Sequence, residues 1–141
     1  MRIADVNVLL HAQDEASAQH SKARAWLEDS LSGSESLGLA WTTLVGFLRI
    51  STRRAVYEQP LLPSEAMDLI EDWLDHPGTV IAEPGPGHRR ILRELVESAG
   101  TAGNLTTDAH IAAIAIENGA TLASFDADFH RFKPLRFDYL G

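Results

Sequence analysis

Short apolar, partly β-branched runs alternate along this chain with longer stretches of helical period. The runs at Ile3 to Asp5, Leu37 to Ala40, Thr79 to Ala82 and Thr121 to Ser124 predict strands, and a last strand is expected at Phe137 to Leu140. Between them, Ala16, His20, Ala23, Leu27 and Leu31 recur at helical spacing, predicting a helix from Glu15 to Leu31 capped by Asp14. A turn or short helix at Val8 to Ala12 precedes it. Leu44, Phe47, Leu48 and Ser51 share one face of a helix that starts at Thr42 or Thr43 and runs to about Arg53. Ser64 is the expected cap of a helix carrying Ala66, Leu69, Ile70, Trp73 and Leu74 inward. Arg89 to Ser98 presents Ile91, Leu92, Leu95 and Val96. Thr107 is the expected cap of a helix from Asp108 to Glu117. Its run Ile111 to Ile116 is apolar nearly all round, which marks a central, buried helix.

Strands alternating with helices predict an α/β fold: a central, mostly parallel sheet flanked by helices on both faces. In such a sheet the carboxyl ends of the parallel strands share one edge, where ligands bind at the point of strand-order reversal. At 141 residues, one domain spanning 1–141 is expected.

Composition narrows the chemistry. There is no cysteine, hence no disulfide framework and no thiolate metal site. No pair among the six histidines has zinc-ligand spacing. No apolar run is long enough to span a bilayer, and the chain starts directly in a strand-like segment, so a cytoplasmic protein without a membrane partner is expected. A net charge of −8 argues against broad electrostatic binding of nucleic acid. It leaves room for a carboxylate cluster whose bound metal reverses the local sign. Pro84-Gly85-Pro86-Gly87 is a turn without the phosphate-loop pattern, and no Gly-x-Ser-x-Gly elbow is present.

Three segments bring aspartate to the same expected edge. Asp5 ends the first strand, with Asn7 just beyond. Asp126 and Asp128 follow the fourth, after Ser124. Asp108 lies in the first turn of the buried helix, where the macrodipole favours a carboxylate. Each has an ordinary reading by itself: turn residue, helix-start charge, solvated loop. Together, converging carboxylates repel unless a cation neutralises them, and an all-oxygen set suits Mg²⁺ or Mn²⁺. The three tryptophans, Trp26, Trp41 and Trp73, are expected in or beside the core, and His110 is expected to be packed rather than catalytic.

Asp5-Val6-Asn7-Val8-Leu9-Leu10, Thr43-Leu44-Val45-Gly46-Phe47-Leu48-Arg49, Asn104-Leu105-Thr106-Thr107-Asp108-Ala109-His110 and Gly119 to Phe129 occur in an order that resembles the PIN-domain ribonucleases, specifically the VapC-type toxins of bacterial type II toxin–antitoxin pairs. The resemblance covers nearly the whole chain. It implies a three-layer fold and a Mg²⁺-dependent endoribonuclease, with Mn²⁺ substituting, that cleaves structured RNA such as tRNA or rRNA through a metal-activated water. It also implies a cognate VapB-type antitoxin and a homodimer. By position, Asp5, Asp108 and Asp126 match the metal-binding, catalytic aspartates. Asp128 matches a further acidic position supporting the metal. Ser124 stands where the family has Ser or Thr, expected to hydrogen-bond Asp5. Read from the residues themselves, Asn7 is a supporting, turn-forming residue rather than a ligand, and Arg49, one turn beyond Gly46, is a supporting residue that meets an RNA phosphate or pairs with an active-site carboxylate, or else an ordinary surface arginine. Gly46 departs from the pattern, since the family usually has glutamate there. It offers no ligand, puts a second metal in doubt, and suggests close approach of backbone or substrate.

Two other readings stand beside this one. Loss of the glutamate points to a PIN-like RNA- or protein-binding module with weak or no activity. A receiver-like phosphotransfer domain also puts aspartate at strand ends, but it wants an acidic pair after the first strand, and Asp5-Val6-Asn7 has none.

Overall fold

Five short strands form one sheet, all neighbours parallel, in a computed structural model that describes residues 1–141. The elements in chain order are β1 (Arg2–Ala4), α1 (Val6–Gln13), α2 (His20–Ser32), β2 (Leu37–Leu39), α3 (Trp41–Ser51), α4 (Pro63–Asp75), β3 (Thr79–Ile81), α5 (His88–Ala99), α6 (Thr106–Glu117), β4 (Thr121–Ser124) and β5 (Arg136–Tyr139). Short 3₁₀ turns cover Gly103–Leu105 and Ala127–Arg131. The strand order is β3-β2-β1-β4-β5. The chain therefore builds one half of the sheet outward from β1, then returns to β1's other side to build the second half. The reversal lies between β1 and β4, where Ile3 is in register with Leu122 and Ala4 with Ala123.

Each sheet face has its own core. On one, Val8, Leu9, Ala23, Leu27, Leu44, Phe47, Ile70 and Trp73 join α1 to α4 with the sheet. On the other, Ile91, Leu95, Ala109, Ile111 to Ala115, Phe129 and Phe132 join α5, α6 and the last 3₁₀ turn. The expected three-layer α/β architecture is present. So is the buried central helix: Ala109 and Ile111 to Ala115 are all buried. No helix is long and apolar enough to cross a membrane.

Several boundaries differ from the sequence expectation because neighbouring turns and other residues set the helix starts. Asp14 does not cap a helix at Glu15. Its carboxylate accepts from the Ala16 N–H at 3.1 Å and Ser17 Oγ accepts from the Gln19 N–H at 3.1 Å, so two side-chain turns delay α2 to His20. Neither Thr42 nor Thr43 caps α3, which starts after Ala40 without a side-chain cap. Ser64 is likewise inside its helix: Pro63 takes the first helical position, and Glu65 reaches back to accept from the Leu62 N–H at 2.9 Å. Thr107 does not cap α6, which continues directly from the preceding 3₁₀ turn.

Trp26 and Trp73 are core, each 7 % exposed, but Trp41 is 49 % exposed. It opens α3 on the side away from the buried stripe Thr43, Leu44, Phe47 and Ser51. The turn at residues 84–87 is held by a contact with no sequence signal. The Glu117 carboxylate accepts from the N–H groups of Gly85 and Gly87, both at 2.7 Å, tying the end of α6 to the start of α5.

Candidate active site

The reversal between β1 and β4 places two chain exits side by side. From β1 the chain enters α1 on one face of the sheet; from β4 it enters the 3₁₀ turn whose Phe129 packs on the other. The diverging backbones leave a crevice at the strand ends. Asp5 sits at its base, 7 % exposed. It is the N-cap of α1, and its Oδ1 accepts from the Val6 N–H at 2.7 Å. Its own N–H donates to the Ala123 carbonyl at 3.0 Å, continuing the β1–β4 ladder to the edge.

Ser124 is the hub. Its buried hydroxyl donates to Asp5 Oδ2 at 2.7 Å. The same oxygen accepts from Asn7 Nδ2 and from the Asp126 N–H, each at 3.0 Å. Asn7 Oδ1 in turn accepts from the Phe125 N–H at 3.1 Å. One turn of α1 and the end of β4 are thus stitched together around one hydroxyl. The expected Ser124–Asp5 bond is present, and Asn7 orients the hub rather than facing the crevice alone.

Asp126 caps the following 3₁₀ turn, with Oδ1 accepting from the Asp128 N–H at 2.8 Å. Asp128 is exposed and pairs with Arg131 at 3.4 Å, so it lies at the rim. Asp108 comes from the first turn of α6, half-buried. Its carboxyl is pushed up to about 6, first by burial and then by the charges of Asp5, Asp126 and Asp128. Burial also raises Asp5; the bonds from Ser124 and Val6 oppose this, and the Asp126 charge adds to it. These mutual effects bring the four expected aspartates into one electrostatic cluster.

No lysine or arginine pairs with Asp5, Asp108 or Asp126; the one ion pair at the cluster joins Arg131 to Asp128 at the rim. Repulsion of this kind, without a protein cation, is what a hard divalent ion would relieve. No group of three or more acidic or histidine side chains is arranged in this structure to hold a metal ion. The chemistry of the all-oxygen set, rather than its present geometry, is what suits a hard ion such as Mg²⁺ with waters in its shell. Asp5, Asp108 and Asp126 could hold it, with Asp128 outside them.

The remaining candidates are placed as follows. A Cβ at Gly46 would meet only Val6, with Cγ2 nearest at 3.5 Å, an ordinary contact. Nothing in the protein's own packing demands glycine there, so the expected close approach of backbone is not seen, and the residue borders the segment that carries Asp5. Arg49 is exposed and pairs with no carboxylate. His110 is packed, as expected, with Nδ1 3.0 Å from His88 Nε2. Sequence reasoning missed His88 as its partner; two histidines 22 residues apart carry no local signal. Cavities of about 380 and 510 Å³ lie around α2 and the α3–α4 connection, beside Trp73 and Tyr57 respectively.

The PIN domain family model matches residues 3–134. This chain belongs to the PIN-domain family. Among its relatives, ribonuclease VapC37 of Mycobacterium tuberculosis is 39% identical over 138 residues, covering 98% of this chain and 96% of the relative. Ribonuclease VapC33 of the same organism is 39% identical over 137 residues, covering 97% and 96%. The fold matches that of VapBC-1 from nontypeable Haemophilus influenzae, with a TM-score of 0.70 at 14% identity over 99% of this chain and 97% of that one. It also matches FitAcB from Neisseria gonorrhoeae, with a TM-score of 0.65 at 19% identity over 98% and 97%. At those identities the structural likeness speaks to the fold; the VapC relatives place the chain in the VapC branch of the PIN-domain family.

Proposed function

We propose that this PIN-domain protein is a divalent-metal-dependent endoribonuclease and the toxin of a toxin–antitoxin pair. The observation that carries the reading is the meeting of Asp5, Asp108 and Asp126, from three different elements, at one crevice with no protein cation to balance them. Asp5, Asp108 and Asp126 hold the ion and Asp128 assists from the rim. When bound, Mg²⁺ or Mn²⁺ lowers the pKa of a water and offsets charge developing on phosphate oxygens. The chain's own contribution is positioning. Ser124 and Val6 fix both oxygens of Asp5, Asn7 fixes Ser124, and Asp108 must be deprotonated to serve as a ligand.

Structured RNA, tRNA or rRNA, is the proposed substrate, in keeping with the naming of the VapC relatives as ribonucleases. A VapB-type antitoxin is the proposed silencing partner; an arginine offered to these unbalanced carboxylates would form a strong charged pair. A homodimeric, cytoplasmic protein of one domain over residues 1–141 completes the reading. The catalytically weak binding module draws support from Gly46, which withholds the further carboxylate a glutamate would bring; the names of the relatives weigh against it.

The chemistry of the cut ends tests the proposal. Attack by water leaves a phosphomonoester and a free hydroxyl. Attack by the neighbouring ribose hydroxyl leaves a cyclic phosphate. With purified protein and bacterial RNA, the expected products lack cyclic phosphate and vanish in EDTA. Cyclic-phosphate ends that persist in EDTA would overturn the proposal.

A further inference from the structure

We propose that Arg49, Arg53 and Arg54 form a phosphate-binding strip that seats the RNA chain beside the carboxylate crevice. The strip rests on the nuclease reading above and adds where the substrate backbone lies. The difficulty it answers is electrostatic. A polyanion must approach a protein of net charge −8, at a cluster of four aspartates. A metal ion balances the phosphate being cut. The flanking phosphates need cations of the protein's own.

Lys22, Arg89, Lys133 and Arg136 are exposed and unpaired but scattered along the chain, with no second unpaired cation within two residues. Arg2, Arg24, Arg90, Arg93 and Arg131 each pair with a carboxylate. Arg49, Arg53 and Arg54 pair with none and are all exposed, within six consecutive residues. α3, which ends at Ser51, fixes the placement of Arg49 relative to the crevice, and Arg53 and Arg54 lie in the turn just after it. Gly46 faces Val6, the residue after Asp5. Arg49, three residues on, lies on a neighbouring part of that face, about 4.5 Å farther along the axis.

That end is built rather than frayed. Thr52 Oγ1 donates to the Leu48 carbonyl at 2.8 Å, and the Arg53 N–H donates to the Ile50 carbonyl at 3.1 Å. The N–H groups of Val56 and Tyr57 both donate to the Arg53 carbonyl at 3.1 Å. The strip therefore starts next to the residue bordering Asp5 and runs away along one ordered helix end. Guanidinium groups suit it, since each can grip a phosphate through two N–H donors.

The test is salt-dependent binding of a single-stranded RNA oligonucleotide, measured by fluorescence anisotropy, together with steady-state cleavage. The proteins compared are wild type, the triple variant Arg49→Gln/Arg53→Gln/Arg54→Gln, its triple Arg→Lys counterpart, and Lys22→Gln as a control on the exposed face of α2. For the Gln variant the slope of log affinity against log salt should flatten by about 0.7 for each residue that contacts phosphate. Its KM should rise at least about tenfold while kcat stays within a few-fold. The Lys variant should keep most of the wild-type slope, and Lys22→Gln should leave slope and KM as they are. An unchanged slope and KM in the Gln variant of a protein that cleaves RNA would overturn the strip and leave the nuclease standing. Wild-type protein that binds RNA through these arginines but never cuts it would do the reverse.

Discussion

The hydroxyl of Ser124, at the end of β4, donates to the carboxylate of Asp5, just past the end of β1, at 2.7 Å. The bond spans the seam at which strand order reverses, and it fixes a buried charge that the repulsion of Asp126 would otherwise disturb. Ser124→Ala removes this donor and also strips an acceptor from Asn7 Nδ2 and the Asp126 N–H. The expected cost is about 1–3 kcal/mol of stability by urea denaturation, since buried polar groups lose partners. RNA cleavage should fall by more than the unfolded fraction explains, because Asp5 loses its orientation. Loss of stability with full specific activity would show that the bond only holds the fold.

The raised carboxyl of Asp108 sets a pH dependence whose sign is defined. Its folded value, about 6, lies above that of an ordinary carboxylate. The folded protein therefore binds more protons than the unfolded chain between about pH 4 and 6, and metal-free stability should fall as pH rises through that window, then level off. Divalent ions require the ionised carboxylate, so Mn²⁺ affinity should climb over the same range. Thermal melts with EDTA or Mn²⁺ across pH should show the stabilisation by Mn²⁺ growing towards neutrality. A gap that shrinks as pH rises would be inconsistent with Asp108 as a ligand.

Gly46 has room for a side chain: a Cβ there would lie 3.5 Å from Val6 Cγ2, an ordinary contact, and would meet no other residue. Gly46→Glu should raise helix stability by up to about 1 kcal/mol on propensity alone. Calorimetric titration should give Mn²⁺ binding that is tighter or unchanged. Clearly weaker binding would count against the geometry around Asp5.

Glu117 joins two helices through the N–H groups of Gly85 and Gly87. Glu117→Ala leaves both donors without that acceptor, in a partly solvated setting, so a loss of about 1 kcal/mol in chemical denaturation is expected. Metal affinity should be unchanged, because the clamp lies at the far end of α6 from Asp108. A large fall in metal affinity would mean that α5 and α6 position the site together.

The strands, the central helix and the four aspartates were legible because each has a strong local cause. β-branched runs make strands, an all-apolar helix must be buried, and aspartate at a strand end needs a partner. Helix starts were less legible. Asp14, Ser64 and Thr107 have the right chemistry for caps, yet tertiary packing and neighbouring turns used other residues at those points. Trp41 shows the limit of composition: an indole in a helix of apolar residues reads as core, but its position in the first turn puts it outside the buried stripe. The Ser124 hub and the Glu117 clamp join residues distant in sequence, so no window along the chain contains both partners.

The most direct test of the central claim is RNA cleavage by wild type and Asp126→Asn, each free of antitoxin, in Mg²⁺, Mn²⁺ or EDTA. The asparagine can still accept from the Asp128 N–H that Asp126 Oδ1 accepts now, so the variant removes charge with little change of shape. A metal-holding aspartate cluster predicts discrete cuts by wild type in either metal, none in EDTA, and none by the variant. Equal cleavage by the variant, or cleavage undiminished by EDTA, would contradict it.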